Sequence, residues 1–473
     1  MLTNLNNEKV STQIFKNFDV AIVGAGAAGI TLTKELSKFG KNVALIEAGD
    51  YEYTDESQEI YIAKTIGDQY FDLDVARLRY FGGTTNHWEG WCRSFEEEDF
   101  KRGYLGEEYK WPITLKDIDP LKEKACNILE VPTKFRDSYL ENSKIQKIDF
   151  HFSPPVRFRD KYYKELINNP RVHVFLNANL TDVQNENKRI SGLQLSSYNG
   201  IKAIVKANEY VFAMGGIENS RYLLWFYKKY QNNFISNDTS LGRYWMEHPH
   251  FTLGQAIIDN TKVNEKYYSL SAEAQKNLGI LNCGFRVIEL NDTALKGLLR
   301  EILCVAPTIG KSLASLAKKN LICGVMFRAA WEQAPHYENR ITLDNKKDKF
   351  GIPKPILNWQ KKALDRKTIM KSIEVFNQWL LEIDGGRIQL DDWLIKQKDY
   401  PTNDELAGYH HMGGTRMHEN PELGVVDKNC KVYGSENLYM AGSSVFTTGG
   451  HNNPTLPIVQ IALRLANHLV NKS

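Results

Sequence analysis

The 473-residue sequence is poor in the signals that mark metal, redox, membrane or nucleic-acid chemistry. Its six cysteines (Cys92, Cys126, Cys283, Cys304, Cys323 and Cys430) are scattered, and none forms a C-x-x-C pair. Zinc and dithiol chemistry therefore lack support, and the absence of C-x-x-C-H removes an attached haem. Neither sign of charge is in excess: 60 Lys and Arg face 57 Asp and Glu, a net +3. That leaves no electrostatic case for nucleic acid or an acidic membrane. Long apolar runs are missing as well. Residues 437–463 carry no Asp, Glu, Lys or Arg, but Gly449, Gly450, Asn452, Asn453 and Pro454 interrupt them, so they do not read as a membrane span. Residues 1–18 are mostly polar, so no secretory signal is expected and the thiols read as reduced in a cytoplasmic protein. No internal repeat or low-complexity tract is present. What remains is ordinary globular usage, 42% hydrophobic and 25% charged, over a length that fits two or three domains.

The strongest local signal lies at residues 18–47. A short β-branched apolar run, 20–23, enters Gly24-Ala-Gly26-Ala27-Ala28-Gly29, and a helical pattern follows over 27–39 until Gly40. A second apolar run, 43–46, ends in Glu47. Strand, G-x-G-x-x-G, helix, strand and acid in about thirty residues predict a dinucleotide fingerprint. Gly24 permits the tight turn, Gly26 admits a pyrophosphate, and Gly29 lets helix and strand pack closely. The helix N-terminus offers N–H groups and partial positive charge, and Glu47 would accept from a ribose diol.

Residues 79–92 contain Gly82, Gly83, Thr84, Asn86 and His87 between aromatic residues, and read as a loop shaped around a ligand. A helix start with Thr114 as cap is expected at 111–117, and helices over 121–129 and 160–167. Strands are expected over 172–176, 190–195, 201–207 and 209–213. The last runs through Ala213 into Gly215 and Gly216 and a helix reaching 224, again a ligand-facing edge of a doubly wound sheet. Residues 250–400 read as a second domain with an antiparallel sheet carrying 325–328 and 339–343. The amphipathic stretch 295–319 fits either a membrane surface or a helix packed on that domain's core. At 437–444 a strand enters a small-residue turn with Gly442 and Ser443. A helix over 457–469 then places Ile458, Ile461, Leu465 and Leu469 on one face. The ligand-binding domain is thus built from separated pieces, with the second domain inserted. Cys92 reads as a packed thiol.

Taken in order, the fingerprint, Phe81-Gly-Gly-Thr-Thr, Trp111-Pro-Ile-Thr, Ala213-Met-Gly-Gly-Ile-Glu-Asn, Tyr409-His410-His411-Met-Gly-Gly-Thr-Arg-Met and Gly449-Gly-His451-Asn-Asn453-Pro-Thr resemble the glucose–methanol–choline (GMC) oxidoreductase family. The resemblance covers nearly the whole chain. Within the family it looks more like bacterial sugar and polyol dehydrogenases and pyranose oxidases than fungal glucose oxidases. It implies an α/β fold: a discontinuous Rossmann-like FAD-binding domain (1–105, 168–250 and 405–473) and an inserted α+β substrate domain with an antiparallel sheet (106–167 and 251–404). It also implies FAD along Gly24–Gly29, Glu47, Gly82–Asn86, Ala213, Gly215, Gly442 and Ser443.

The family places a His and a His or Asn at the flavin N5 edge. The H-x-x-G-T spacing puts His411 at the first position, with the adjacent His410 as the alternative register. The N-P-T stretch puts Asn453 at the second. His410 and His451 are candidate substrate contacts, although His451 equally suits a turn cap. In some members a histidine at the offset of His87 is bonded to the flavin; others carry a His-Trp pair there, and both readings stay open. The implied reaction is oxidation of a CH–OH group, in a sugar or polyol, with His411 taking the proton and hydride passing to N5. Electrons would leave to oxygen, a quinone or a carrier protein. The rival reading is a lyase or isomerase that uses the same histidine without net redox. A nucleotide-binding subunit without catalysis is a third.

Overall fold

The computed structural model describes every residue except 8–11, 141–142, 232, 237–238, 260, 265–266, 289–320, 403–406 and 473; of residues 321–325 only the backbone is described. The amphipathic stretch 295–319 and Cys304 lie outside the described residues. Two large sheets organise the chain. The first has eight strands in the order Leu2–Asn4, Val172–Leu176, Val43–Ile46, Thr12–Val23, Lys202–Phe212, Arg189–Ser196 and Asn179–Glu186, with Leu438–Met440 also pairing Lys202–Phe212. Pairing is parallel from Leu2–Asn4 to Lys202–Phe212 and at Leu438–Met440, then antiparallel over the last two strands. Val43–Ile46 is buried at all four positions, as an apolar run in a parallel sheet covered on both faces should be. The strand expected over 20–23 begins at Thr12. Its first half is largely exposed and carries little apolar signal; pairing along Lys202–Phe212 extends it. The two strands expected over 201–207 and 209–213 are one, with a register shift between Val205 and Ala207.

Helices Ala27–Lys38, Gly215–Tyr230 and Thr455–Asn471 cover this sheet, and their apolar residues join its core. Helix Ala27–Lys38 meets its strand at backbone distance. A Cβ on Gly29 would stand 1.9 Å from the Gly24 carbonyl oxygen, and one on Gly24, at φ +105°, would stand 2.5 Å from the Ala213 oxygen. Helix Phe158–Asn168 buries Phe158, Tyr162 and Leu166 in this same core.

The second sheet has seven strands in the order Gly386–Leu390, His250–Asp259, Leu321–Trp331, Cys283–Ile288, Tyr267–Leu270, Ile145–Lys147 and Ser138–Tyr139. All pairs are antiparallel. Strand alternation divides its faces. Phe285 and Phe327 pack on Phe376 of helix Ala363–Glu382, while Gly284, Arg286, Arg328 and Ala330 line a cavity between the two sheets. Residues 339–343, expected in this sheet, lie elsewhere. Strand Arg340–Lys347 pairs with Pro353–Trp359, which runs parallel to Lys64–Gly67 in a separate three-stranded sheet. Their alternation fitted any antiparallel partner, and the one taken is the next strand in sequence. Among the described residues no helix is long and apolar enough to cross a membrane.

A buried charge network ties these parts together. Glu218, in the first turn of helix Gly215–Tyr230, bonds Arg77 and Arg221 at 2.8 Å each, and Arg221 bonds Asp348 at 2.6 Å. Burial alone would raise the Glu218 carboxyl; Arg221, Arg77 and Arg79 overcome it and hold it below its ordinary value. Removing one partner would strand buried charge. Glu218→Gln is expected to cost about 3–5 kcal/mol of stability, measured by urea unfolding under tryptophan fluorescence. A loss under about 1 kcal/mol would show that the network behaves as exposed ion pairs do.

Candidate active site

The cavity between the sheets measures about 510 Å³, within the range of small-molecule sites. One end is built by the carboxyl edge of the first sheet. Strand Thr12–Val23 delivers Gly24 and Gly26, and strand Lys202–Phe212 delivers Ala213 and Gly215. Strand Leu438–Met440 delivers Gly442 and Ser443. A Cβ on Gly26, Gly215 or Gly442 would meet no protein atom within 4 Å, so the space before each is cavity and not packing. Helix Ala27–Lys38 has no side-chain cap and no acid in its first turn, which keeps its N-terminus electropositive. These features fit a pyrophosphate. Glu47 lines the same end. Its carboxylate already accepts from the backbone N–H of Ala25 (2.9 Å) and Gly49 (3.0 Å), so it shapes both turns; a carboxylate has lone pairs left for a ribose.

Of the candidate cofactor and substrate residues, all but Gly29, Gly82 and Asn86 line the cavity. Gly29 packs helix on strand. The Gly82 N–H bonds the Ala25 oxygen (2.8 Å), and the Asn86 amide bonds the Phe81 oxygen (2.9 Å), so both brace the loop that presents Thr84 and His87. His87 is exposed at the cavity rim, and partial desolvation of its ring and then Arg157 lower its pKa.

The other end holds the histidines. His410 and His411 are consecutive, just before the bridge of Met412 to Met246, and their side chains meet different partners. The side chain that meets Asn453 is that of His410: Asn453 Nδ2 lies 3.3 Å from His410 Nε2. His411 turns away. Its ring packs on Trp245, and its Nε2 bonds the Tyr70 hydroxyl at 3.0 Å. The expected pairing of His411 with Asn453 is therefore not the one the structure forms. The H-x-x-G-T spacing fits His411, but Tyr70 and Trp245 hold that ring and the neighbouring one meets Asn453.

Behind His410 stands His248, which the sequence reading did not single out. The two Nδ1 atoms are 2.8 Å apart, and His248 Nε2 lies 2.6 Å from the Gly450 oxygen. Glu247 is fully buried and accepts the backbone N–H groups of His248 (2.8 Å) and His410 (2.7 Å) and the Tyr70 hydroxyl (2.5 Å). Burial raises its carboxyl to about 7 against these donors. Burial likewise lowers His248 to about 4 and His411 to about 3, and holds His410 and His451 well below the ordinary value, so all four rings are neutral near pH 7. His451 lines the cavity with a buried Nδ1 that has no hydrogen-bond partner. The wall opposite is aromatic: Trp91 and Tyr267 meet edge to face at 5.6 Å, with Trp331 nearby.

Residues 335–462, which include both histidines and Asn453, match the family model described as GMC oxidoreductase. The chain is 22% identical to 2-methyl-1,2-propanediol dehydrogenase of Mycolicibacterium austroafricanum, over 95% of each chain. It is 25% identical to the fructose dehydrogenase large subunit of Gluconobacter japonicus, over 56% of this chain and 48% of that one. The crystal structure of pyridoxine 4-oxidase from Mesorbium loti shares its fold, with a TM-score of 0.60 and 15% identity over 96% of this chain and 99% of that one. The fold, the glycine cradle and a family match over residues 335–462 that spans the histidine pair make this chain similar to the GMC oxidoreductases.

Proposed function

We propose that this FAD-dependent oxidoreductase oxidises a CH–OH group of a sugar or polyol, with His410 as the base and Asn453 as the group that holds the substrate oxygen. The observation that carries this reading is the 3.3 Å contact of His410 and Asn453 in the cavity that also holds the dinucleotide cradle. The cradle of Gly26, Glu47, Gly215 and Gly442 would hold FAD, which supplies the hydride acceptor.

The chain's residues do the rest. Burial keeps His410 neutral, so its Nε2 is available to take the hydroxyl proton. The Asn453 N–H holds the same oxygen without competing for the proton. The unpartnered Nδ1 of His451 suits a further substrate hydroxyl. Trp91 and Tyr267 offer flat apolar faces against which a sugar or polyol can lie with water excluded. The relatives named for a propanediol and for fructose support a polyol or sugar over a simple alcohol. Electrons would pass on to oxygen, a quinone or a carrier protein.

The purified protein is expected to be yellow, and to bleach anaerobically when the right sugar or polyol is added. His410→Asn should keep its FAD and slow that bleaching by about 10²–10⁴-fold, the usual share of a general base. A yellow protein that no sugar or polyol bleaches would overturn the reading in favour of acid/base chemistry without redox. His411→Asn should slow bleaching by about tenfold at most, because its ring supports the wall and does not reach Asn453. If the two variants changed places in stopped-flow bleaching, His411 would be the base.

A further inference from the structure

A neutral histidine carries one ring proton, and a base needs its bare nitrogen on the reacting side. The hydrogen bonds around His410 decide which nitrogen is bare, and the decision begins at a backbone carbonyl. The Gly450 oxygen only accepts. At 2.6 Å from it, His248 Nε2 must carry a hydrogen. His248 is buried and neutral, so its Nδ1 is a lone pair. His410 Nδ1, 2.8 Å away, must then be the donor. His410 Nε2 is left bare, facing the Asn453 amide N–H at 3.3 Å. Every contact in the chain has one donor and one acceptor. The opposite arrangement would set a lone pair of His248 against the Gly450 oxygen.

We propose that His248 is a positioning residue that holds the proton of His410 on Nδ1 and keeps Nε2 bare toward the cavity. The proposal rests on His410 being the base. When His410 takes a proton at Nε2, the substrate O–H bond breaks and an N–H bond forms; the Nδ1 proton stays where it is, bonded to His248. Glu247 sets the frame by accepting both backbone N–H groups. His250, 6.4 Å from His410 between ring centroids, and His451 flank the pair. The arrangement has the logic of a carboxylate behind a catalytic histidine, with a neutral ring in the carboxylate's place.

Three substitutions separate the roles of the His248 ring. His248→Asn places an acceptor near the Nδ1 position, His248→Gln keeps only a donor toward Gly450, and His248→Leu keeps neither. Anaerobic single-turnover bleaching of the FAD-loaded enzyme should fall about 10- to 100-fold in the Gln and Leu variants and about fivefold or less in the Asn variant, part of the base's ~10²–10⁴. Substrate affinity from the same titrations should move less than about threefold. Loss of rate in all three alike would overturn the proposal. ¹⁵N-histidine NMR of the holoenzyme, with the His410 signal assigned by His410→Asn, supplies a readout free of turnover. Wild-type His410 should carry its proton on Nδ1, and His248→Leu should shift population to the Nε2–H form. A wild-type Nε2–H form, or an unchanged tautomer in His248→Leu, would overturn it. If His410→Asn bleaches as fast as wild type, the base assignment fails and takes the kinetic expectation with it, while the tautomer result still decides the hydrogen-bond chain.

Discussion

The histidine end of the cavity depends on one buried carboxyl group. Glu247 accepts three hydrogen bonds, from the backbone N–H groups of His248 and His410 and from the Tyr70 hydroxyl. An unsolvated carboxylate without such donors would cost several kcal/mol, so the three donors are held where the carboxylate needs them. His248 and His410 belong to segments 162 residues apart, yet one side chain fixes both backbones. Tyr70 gives its hydrogen to Glu247, so its oxygen is free to accept from His411 Nε2. That ties His411 to Tyr70 and leaves His410 to meet Asn453. The division of labour between two adjacent histidines is thus a consequence of where one carboxylate lies.

The dinucleotide end was legible in the sequence because its constraints are local. Gly24 is required by its contact with Ala213 and Gly29 by its contact with the Gly24 backbone, and these glycines, the helix and Glu47 fall within thirty residues. The histidine end was legible only in part. Asn453 and the paired histidines stand in recognisable stretches, but the choice between His410 and His411 turns on Trp245 and Tyr70. Those partners come from segments of ordinary composition. Tyr70, Glu247 and His248 carry no spacing signal; their roles follow from hydrogen bonds between distant segments. The same limit explains the strand at Thr12. Its exposed first half has no apolar pattern to read, and exists because Lys202–Phe212 pairs with it.

The two sheets contribute different physical properties to one cavity. The first offers backbone: glycines without side chains and an uncapped helix end, which suit a phosphate whatever lies beyond. The second offers side chains on a strand face, with aromatic rings and arginines toward the cavity and Phe285 and Phe327 toward the helix behind. Selectivity belongs on such a face, where single substitutions leave the strand pairing intact. The Glu218 network holds the loop of Arg77 to helix Gly215–Tyr230 and to the turn at Asp348, so the cradle keeps its shape against the wall.

The neutral cluster also constrains the order of events in the proposed reaction. Burial and the neighbouring rings make His410 a weaker proton acceptor than a free imidazole. Such a base does not strip an alcohol of its proton in advance, because the alkoxide is far too basic. As hydride leaves carbon, however, the oxygen moves toward a protonated carbonyl and its proton becomes strongly acidic. A weak base then suffices, provided it is already in place. Placement is what the hydrogen bonds supply: Glu247 holds the backbone of His410, His248 holds its proton on the far nitrogen, and Asn453 holds the oxygen that will give up its own. In this site the histidine's low basicity is matched by its fixed position, and the burial that weakens the base also keeps its Nε2 unprotonated near pH 7.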